Sequence, residues 1–234
     1  MIKEKYEEWN VLYTGEKYLY DFIDNIIYSK NLIILKELKN DQRSLVLLVT
    51  LMGKKLILKS PLEKNRRKWI RFTTLFRNGE AFKTILNMEK LNNVGIRTNN
   101  PVMAIEKRVF GMVSDSWILF EYEEGERCTK KNYALVVNKL KEIHAKNMLH
   151  GDAQIRNFLY NGKEVVTIDC NPKRIWLGNI SKAYEHIYLE KSAEGIDKHF
   201  DFSRCSFSYK IAQKYSDLYW SWRRLKRKIR RKKT

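Results

Sequence analysis

Residues 150–169 constrain the fold of this chain more than any other segment. A polar loop, His150–Asn157, precedes two short apolar runs, Phe158–Tyr160 and Val165–Ile168, and Asn161-Gly162 lies between the runs. Asn-Gly is the preferred pair for a two-residue type I′ turn, because both positions tolerate a positive φ. The pattern therefore predicts a tight antiparallel hairpin directly after the loop.

The predicted hairpin brings three oxygen-bearing side chains together. Asn157 precedes its first strand and Asp169 follows its second, so antiparallel pairing places both at the same end. Asp152 lies on the loop just before Asn157. Mg²⁺ prefers such oxygen ligands, and a spare carboxylate can orient and deprotonate a hydroxyl. The set predicts phosphoryl transfer; the alternative interpretation is a polar surface loop beside a hairpin.

Apolar runs earlier in the chain predict a β-rich N-terminal region. Residues 32–60 contain three such runs, typical of a three-stranded antiparallel meander. The central run, Leu45–Met52, is uninterrupted, and Lys59 closes the third. Two further strands are predicted around residues 102–109 and 117–122.

Helices are predicted between and after these strands. Residues 62–94 have helical composition, with a break at Asn78-Gly79. A second helix is predicted at residues 132–146, and the chain from Asp169 to about Tyr219 is mostly helical by composition. Large apolar residues of the first helix fall on one face: Trp69, Phe72, Leu75 and Phe76.

The net charge is +19, with 46 Lys and Arg against 27 Asp and Glu. Such a balance favours polyanionic partners. Residues 220–234 carry nine positive charges and no negative one, which predicts contact with an anionic membrane surface. Binding of an acidic acceptor and a solvated disordered tail are the alternatives, and no nucleic acid partner is expected. Four apolar residues are predicted to share a helix face there: Trp220, Trp222, Leu225 and Ile229.

The three cysteines form no CxxC pair, and their number is odd. This pattern indicates neither a disulfide framework nor a zinc ribbon, and favours a reducing, cytoplasmic setting. The N-terminus is charged and lacks the apolar stretch of a signal peptide. No window approaches the length of uncharged apolar sequence that a membrane-spanning helix needs.

The loop and its flanks resemble the catalytic core of protein-kinase-like enzymes. The matching segments are Leu140–His144, Met148–Asp152, Asn157 and Ile168-Asp169. The motif His-Gly-Asp, in place of His-Arg-Asp, resembles the corresponding motif of the antibiotic and sugar kinases of that superfamily. The resemblance implies Asp152 as the catalytic base, with Asn157 and Asp169 as Mg²⁺ ligands.

The same resemblance implies an ATP site in the N-terminal region. Lys59 would contact the α- and β-phosphates, with Glu80 as its ion-pair partner and Glu89 as the alternative. Glu121 and Tyr122 follow an apolar strand, where a hinge would hold adenine through backbone hydrogen bonds.

The implied fold is α+β, a two-lobed protein-kinase-like fold with a β-rich N-lobe and a reduced, mainly helical C-lobe. The expected boundaries are residues 1–123 for the N-lobe and hinge, 124–219 for the catalytic lobe, and 220–234 for the basic tail. Three departures from protein kinases stand out: there is no glycine in the turn at residues 39–44, Cys170 replaces Phe-Gly, and only 65 residues follow Asp169. They favour a compact kinase for a small or lipid-linked acceptor, with a pseudokinase as the alternative.

Over almost its whole length, including residues 76–83 and the basic tail, the chain resembles the bacterial lipopolysaccharide core heptose(II) kinase family. The resemblance implies ATP-dependent phosphorylation of the second inner-core heptose on a lipid-linked core oligosaccharide. It also implies a peripheral location on the cytosolic face of the inner membrane. Spacing alone leaves open another sugar, a protein hydroxyl, or a non-catalytic polyanion-binding module.

Overall fold

The structure of the chain is a computed structural model that describes residues 1–14, 19–28 and 32–231. These ranges contain a large antiparallel sheet, several short strands and seven α-helices, which confirms the α+β class. Within them, no helix has both the length and the apolar character needed to cross a bilayer.

The chain divides into two compact units. Unit 1 comprises Met1–Asn93 and Thr98–Glu124, and unit 2 comprises Val94–Arg97 and Gly125–Thr234. The short segment Val94–Arg97 therefore belongs with the C-terminal residues, although it lies within the N-terminal part of the sequence.

Unit 1 is built on a seven-stranded antiparallel sheet. The predicted meander forms its second half, whereas the two N-terminal strands of the sheet were not predicted. In chain order the strands are β1 (Ile2–Tyr6), β2 (Trp9–Tyr13), β3 (Ile33–Asn40), β4 (Leu45–Leu51), β5 (Lys54–Ser60), β6 (Pro101–Val109) and β7 (Met112–Glu121). Their spatial order is β1-β2-β6-β7-β5-β4-β3.

Four helices accompany this sheet: α1 (Leu19–Tyr28), α2 (Leu62–Arg66), α3 (Lys68–Thr73) and α4 (Glu80–Asn93). The predicted break at Asn78-Gly79 is confirmed, since α4 begins at Glu80. The single helix expected before that break is instead two short helices. Arg67 separates them with an extended backbone, φ −71° and ψ 112°.

The sheet has an apolar core on each face. Successive side chains of a strand point to opposite faces, and β6 shows this alternation. Met103 and Ile105 pack in the cluster that includes Ile23 of α1, while Ala104 packs in the cluster that includes Phe82 of α4. The central strands are apolar on both faces because both faces are covered.

Unit 2 combines three helices with short strands. The helices are α5 (Tyr133–Ala145), α6 (Asn179–Glu190) and α7 (Phe207–Arg231), and α5 confirms the helix predicted at residues 132–146. The strands are β8 (Glu126–Arg127), β9 (Met148–Leu149), β10 (Phe158–Tyr160), β11 (Val165–Thr167) and β12 (Lys173–Arg174). Strands β8, β10 and β11 form one small sheet, and β9 pairs with β12.

The hairpin of β10 and β11 forms as predicted, but its turn differs. The connection has four residues, Asn161 to Glu164, and only Gly162 has a positive φ, 89°. The Asn161 side chain accepts hydrogen bonds from the backbone N–H groups of Lys163 and Glu164 at 3.1 and 3.0 Å. A side chain that caps its own turn replaces the two-residue type I′ turn.

The basic C-terminal residues continue α7 up to Arg231. Trp220 is half-buried, and its ring stacks on Tyr188 of α6 at a centroid distance of 6.4 Å. Trp222 is 54% exposed. Two residues rotate a helix by about 200°, so the prediction that Trp220 and Trp222 share a face is wrong. The side chain of Ile229 and residues 232–234 lie outside the described part of the chain.

Candidate active site

The polar loop between β9 and β10 ends at the hairpin, as the sequence predicts. Phe158 pairs with Thr167, and the next backbone contact is Ile168 N–H to the Asn157 carbonyl at 2.8 Å. Asp169 is the following residue, with a left-handed φ of 52°. The hairpin therefore brings Asn157 and Asp169 to one end.

Three side-chain donors hold the carboxylate of Asp152. Oδ1 accepts from Gln154 Nε2 at 2.7 Å and from the Tyr188 hydroxyl at 3.1 Å. Oδ2 accepts from Asn157 Nδ2 at 3.0 Å. Burial and the neighbouring Asp152 raise the pKa of Tyr188 to about 12, so its hydroxyl stays protonated and keeps donating. The half-buried carboxylate is thus fixed in position and oriented as an acceptor.

A second, buried carboxylate holds the backbone of the same loop. Glu185 of α6 is 5% exposed. It accepts the backbone N–H groups of His150 and Gly151 at 3.0 and 2.6 Å, and its Oε2 lies 2.9 Å from His144 Nε2. A buried carboxylate that receives two backbone amides and a ring nitrogen has its hydrogen-bonding capacity satisfied.

His150 organises the loop from within. The imidazole is wholly buried, and burial lowers its pKa, so the ring is neutral. Its Nδ1 accepts the backbone N–H of Asp152 at 3.3 Å, which leaves the proton on Nε2, 3.4 Å from the sulfur of Cys170. Burial raises the pKa of Cys170 to about 12, and the sulfur remains a thiol.

Gly151 is required by two features of the backbone. Its φ is +83°, a left-handed value that side chains disfavour. A Cβ at this position would lie 1.8 Å from the carbonyl oxygen of Asn171, whose own N–H donates to the His150 carbonyl at 2.9 Å. The close passage of residue 171 explains why this loop reads His-Gly-Asp.

Asn157 and Asp169 offer donors suited to a magnesium ion. Because Asn157 Nδ2 donates to both a backbone and a side-chain oxygen of Asp152, at 2.8 and 3.0 Å, Oδ1 is the amide atom left to bind a cation. Asp169 is exposed and contributes a carboxylate. No group of three or more His, Cys, Asp or Glu side chains among the described residues could hold a metal. The donor set fits Mg²⁺, which commonly takes one or two protein ligands and completes its shell with phosphate and water.

The predicted phosphate-contacting residues lie in unit 1. Lys59 is half-buried on β5 between β4 and β7, opposite Val46 and Ile118. Glu80 is the first residue of α4. Glu89 lies further along α4. Glu80 stays the predicted partner of Lys59, with Glu89 as the alternative.

A buried carboxylate on β6 fixes the start of α4. Glu106 is fully buried and accepts the N–H groups of Gly79 and Phe82 at 3.3 and 3.1 Å. Burial raises the pKa of Glu106, while the helix N-terminus and these amides favour the charged form. A Cβ at Gly79 would lie 2.3 Å from Glu106 Oε1, so the glycine allows this contact and thereby sets the position of Glu80.

The expected hinge residues use their N–H groups within unit 1. Glu121 N–H donates to the Asn100 carbonyl at 2.9 Å, and Tyr122 N–H donates to the Lys55 carbonyl at 3.2 Å. Adenine contacts from Glu121 and Tyr122 would therefore have to use their carbonyl oxygens. Of the backbone hydrogen bonds that the sequence predicts for adenine, those from the two N–H groups are thus excluded.

Sequence reasoning missed the residues that support Asp152. Glu185, Tyr188 and Gln154 were given no role, although all three contact the loop or its carboxylate. Two of them lie on α6, well downstream of the loop. A charged residue within the apolar stretch Ala183–Leu189 is the one signal that could have identified Glu185, because buried charges are rarely left unpaired.

Comparison with known proteins identifies a family and a similar fold. A family model described as lipopolysaccharide core biosynthesis protein (WaaY) matches residues 1–226. A solved structure, WaaP in complex with acyl carrier protein, is similar with a TM-score of 0.53 and 13% identity. The similarity covers 93% of this chain and 98% of that one. It supports the kinase-like fold. A search of curated proteins found no match.

Proposed function

The chain belongs to the lipopolysaccharide core biosynthesis (WaaY) family, and from that premise we propose that it transfers the γ-phosphoryl group of ATP to a heptose hydroxyl of the core. The second inner-core heptose of a lipid-linked oligosaccharide is the proposed acceptor. The observation that carries this proposal is the orientation of the Asp152 carboxylate. Three side-chain donors hold it, and Asp152 itself lies in the loop that precedes the hairpin between Asn157 and Asp169.

Asp152 is the proposed catalytic base. The acceptor hydroxyl donates a hydrogen bond to the carboxylate and attacks the γ-phosphorus. A new oxygen–phosphorus bond forms, the bond to the β–γ bridging oxygen breaks, and ADP leaves with that electron pair. The hydroxyl proton passes to Asp152 and then to water. Because Gln154, Asn157 and Tyr188 hold the carboxylate, little reorientation is needed at the moment of transfer.

Asn157 and Asp169 are the proposed ligands for Mg²⁺. When bound, the ion would neutralise charge on the nucleotide phosphates. In unit 1, Lys59 is the proposed phosphate contact and Glu80 its ion-pair partner. The carbonyl groups of Glu121 and Tyr122 are the proposed adenine acceptors.

A cavity of about 480 Å³ in unit 2 supports a sugar as the acceptor. Its lining includes Gly151, which precedes the proposed base in the chain, the buried Glu185, and four tyrosines: Tyr184, Tyr188, Tyr215 and Tyr219. Aromatic faces with a few polar groups are a common lining of small-molecule sites. We propose that the heptose to be phosphorylated enters this cavity.

The proposal is tested with purified protein, Mg-ATP and core oligosaccharide that lacks phosphate on the second heptose. Mass spectrometry of the product locates the new phosphate, and ADP release gives the rate. We expect Asp152→Asn to lower kcat by at least about 10³-fold while ATP binding persists, because a base is lost without a change of shape. Asp217→Asn is the matched control, since Asp217 is exposed on α7 and bonds to Gln213.

Undiminished turnover by Asp152→Asn would show that Asp152 is not the base. ATP consumption without phosphate on the oligosaccharide would favour another acceptor. Wild-type protein that binds Mg-ATP or a polyanion and transfers nothing would favour the non-catalytic binding module.

We also propose that α7 contacts an anionic membrane surface. Leu218, Trp222 and Leu225 are 71%, 54% and 47% exposed, and their spacing places them on one helix face. Lys226 lies over the Trp222 ring at 4.9 Å. An exposed apolar stripe bordered by Lys and Arg is typical of helices that lie in the bilayer interface.

A further inference from the structure

Unit 1 carries a cluster of exposed aromatic side chains that the proposed reaction does not use. Trp69, Phe72 and Phe76 follow one another along α3 and the turn after it, and Phe110 lies at the tip between β6 and β7. Their exposed fractions are 74%, 48%, 83% and 90%. We call these four residues the aromatic patch. The sequence predicts a single apolar helix face at Trp69, Phe72, Leu75 and Phe76; in the structure the helix ends at Thr73, and all four side chains are exposed to solvent.

The aromatic patch stands on a fixed scaffold. Arg71 Nε donates to the Val113 carbonyl at 3.1 Å, and Val113 N–H donates to Thr74 Oγ1 at 2.9 Å. Arg108 Nη1 bridges the carbonyls of Thr74 and Gly111 at 2.8 Å each. These bonds tie α3 to the β6–β7 hairpin from both sides. The backbone segments that carry the exposed rings are therefore held in place by the fold.

Three rings of the patch, those of Trp69, Phe72 and Phe76, form one contiguous apolar surface. Trp69 and Phe72 stack at a centroid distance of 6.0 Å, and Phe72 meets Phe76 edge to face at 6.2 Å. A shallow groove of about 520 Å³ runs along Trp69 and Phe72 to Met112 on the hairpin. Contiguous exposed apolar surface of this kind marks a contact site for a membrane or another molecule.

The surroundings of the patch are strongly basic. From residue 64 to residue 79 the sequence has six positive charges and no negative one. Arg67 pairs with Glu63 at 2.5 Å, which leaves a net excess of cations beside the rings. The basic residues of this stretch are Lys64, Arg66, Arg67, Lys68, Arg71 and Arg77.

We infer that the aromatic patch inserts into the interface of a bilayer rich in anionic phospholipid. Indole and phenyl rings favour the membrane–water boundary, and clustered Lys and Arg are attracted to anionic headgroups. A second copy of this chain fits less well, because a two-fold contact would bring like charges together around the rings. The inference concerns the surface of unit 1 and is independent of catalysis.

The test places a reporter within the patch. Cys205 is the exposed cysteine, and Cys128 and Cys170 are buried, so Cys205→Ser gives a background for labelling. Phe76→Cys is labelled with an environment-sensitive fluorophore in the full-length chain. Lys36→Cys, on the exposed strand β3, is the matched control. Each protein is mixed with vesicles of phosphatidylethanolamine and phosphatidylglycerol, or of phosphatidylcholine alone.

We expect a blue shift at position 76 with the anionic vesicles, quenching by nitroxide-labelled lipid, and neither effect at position 36. Lys64→Gln, Arg66→Gln and Lys68→Gln together should weaken vesicle partitioning by about 100-fold, at about fivefold for each charge. Lys3→Gln, Lys5→Gln and Lys36→Gln remove the same charge elsewhere and should weaken partitioning less.

If the protein bound vesicles but the emission of the label at position 76 did not shift, the inference would be overturned. Membrane binding would then be attributed to α7 alone. The inference would also fail if the chain did not sediment with anionic vesicles, or if an oligonucleotide shifted the label and vesicles did not. The assay contains neither nucleotide nor acceptor, so failure of the phosphorylation assay has no bearing on it.

Discussion

At the scale of single residues, Glu185 connects three separate segments of unit 2. It joins α6 to the backbone of His150 and Gly151 and to the ring of His144. Through these contacts the carboxylate holds the loop that carries Asp152, and the residue also lines the proposed acceptor cavity. Glu185 is therefore a positioning residue.

We expect Glu185→Gln to destabilise the protein and to impair transfer. The glutamine offers one acceptor oxygen in place of two, so a buried loop amide loses its partner at a cost of about 1–3 kcal/mol. Thermal unfolding should move to lower temperature, and kcat should fall at least about tenfold with little change in KM for ATP. Glu190→Gln, at a partly exposed carboxylate that pairs with Arg204, is the control.

An unchanged kcat in a folded Glu185→Gln protein would show that Glu185 does not position Asp152 for transfer. A purely structural role would lower stability without the kcat effect below the unfolding temperature. The two measurements therefore separate positioning from folding.

Some residues of the candidate site could be predicted from the sequence, and others could not. Asp152, Asn157 and Asp169 lie close together in sequence, and local hairpin pairing is enough to bring Asn157 to Asp169. Glu185 and Tyr188 reach the loop through helix packing across more than thirty residues. Residue spacing contains no information on such long-range contacts, so these two could not be predicted.

At the scale of elements, α7 has two faces with different partners. Trp220 stacks on Tyr188, whose hydroxyl bonds to Asp152. Trp222 lies on the solvent side. The composition of the segment suggested one apolar face, because a list of aromatic residues does not show which of them packs inward. The rotation of about 100° per residue in a helix is enough to predict from sequence that the two tryptophans lie on different faces.

We expect Trp220→Ala and Trp222→Ala to have opposite signatures. Trp220→Ala removes the ring behind Tyr188 and should lower kcat about three- to thirtyfold, with a loss of stability of about 1–3 kcal/mol. Trp222→Ala should leave kcat with a soluble acceptor unchanged and weaken binding to anionic vesicles. Steady-state kinetics and vesicle sedimentation on both variants provide the comparison. Equal kinetic effects would show that the Trp220–Tyr188 contact does not matter for transfer.

The short helices of unit 1 show a different limit of sequence patterns. Trp69 and Phe72 lie on α3 at the predicted helical spacing, whereas Phe76 lies in the turn after it. Spacing indicates a shared face without indicating what covers that face. Buried α4 and exposed α3 have similar apolar content. The decisive difference is the extended residue Arg67 and the hydrogen bonds that turn α3 onto the β6–β7 hairpin.

At the scale of the whole molecule, buried neutral histidines make stability depend on pH. Burial is the main cause that lowers the pKa of His150, and it lowers the pKa of His186 to about 3, with help from His144 and Lys141. Both values lie below the ordinary 6.5 of the unfolded chain. The unfolded state therefore binds more protons below pH 6.5, and stability falls with decreasing pH.

We expect the free energy of unfolding to decrease by up to about 1.4 kcal/mol per pH unit through His186 as pH falls from 6.5 toward 3, and to decrease further through His150, whose pKa is also lowered. His186→Phe should flatten that slope in chemical denaturation between pH 7.5 and 5, because Phe keeps an aromatic ring against Phe200 and Phe202. His199→Gln, at an exposed histidine, is the control for the loss of a histidine elsewhere. An unaltered slope in His186→Phe would contradict the assignment.

The close passage of Asn171 over Gly151 also limits the mutational history open to this loop. Conversion of His-Gly-Asp to the His-Arg-Asp of protein kinases adds a Cβ at position 151. That atom would lie 1.8 Å from the carbonyl oxygen of Asn171. No single substitution achieves this conversion, since the backbone after Asp169 must move first. Positions 151 and 171 are thus coupled, and a lineage with this arrangement is held to glycine until the downstream segment takes another path.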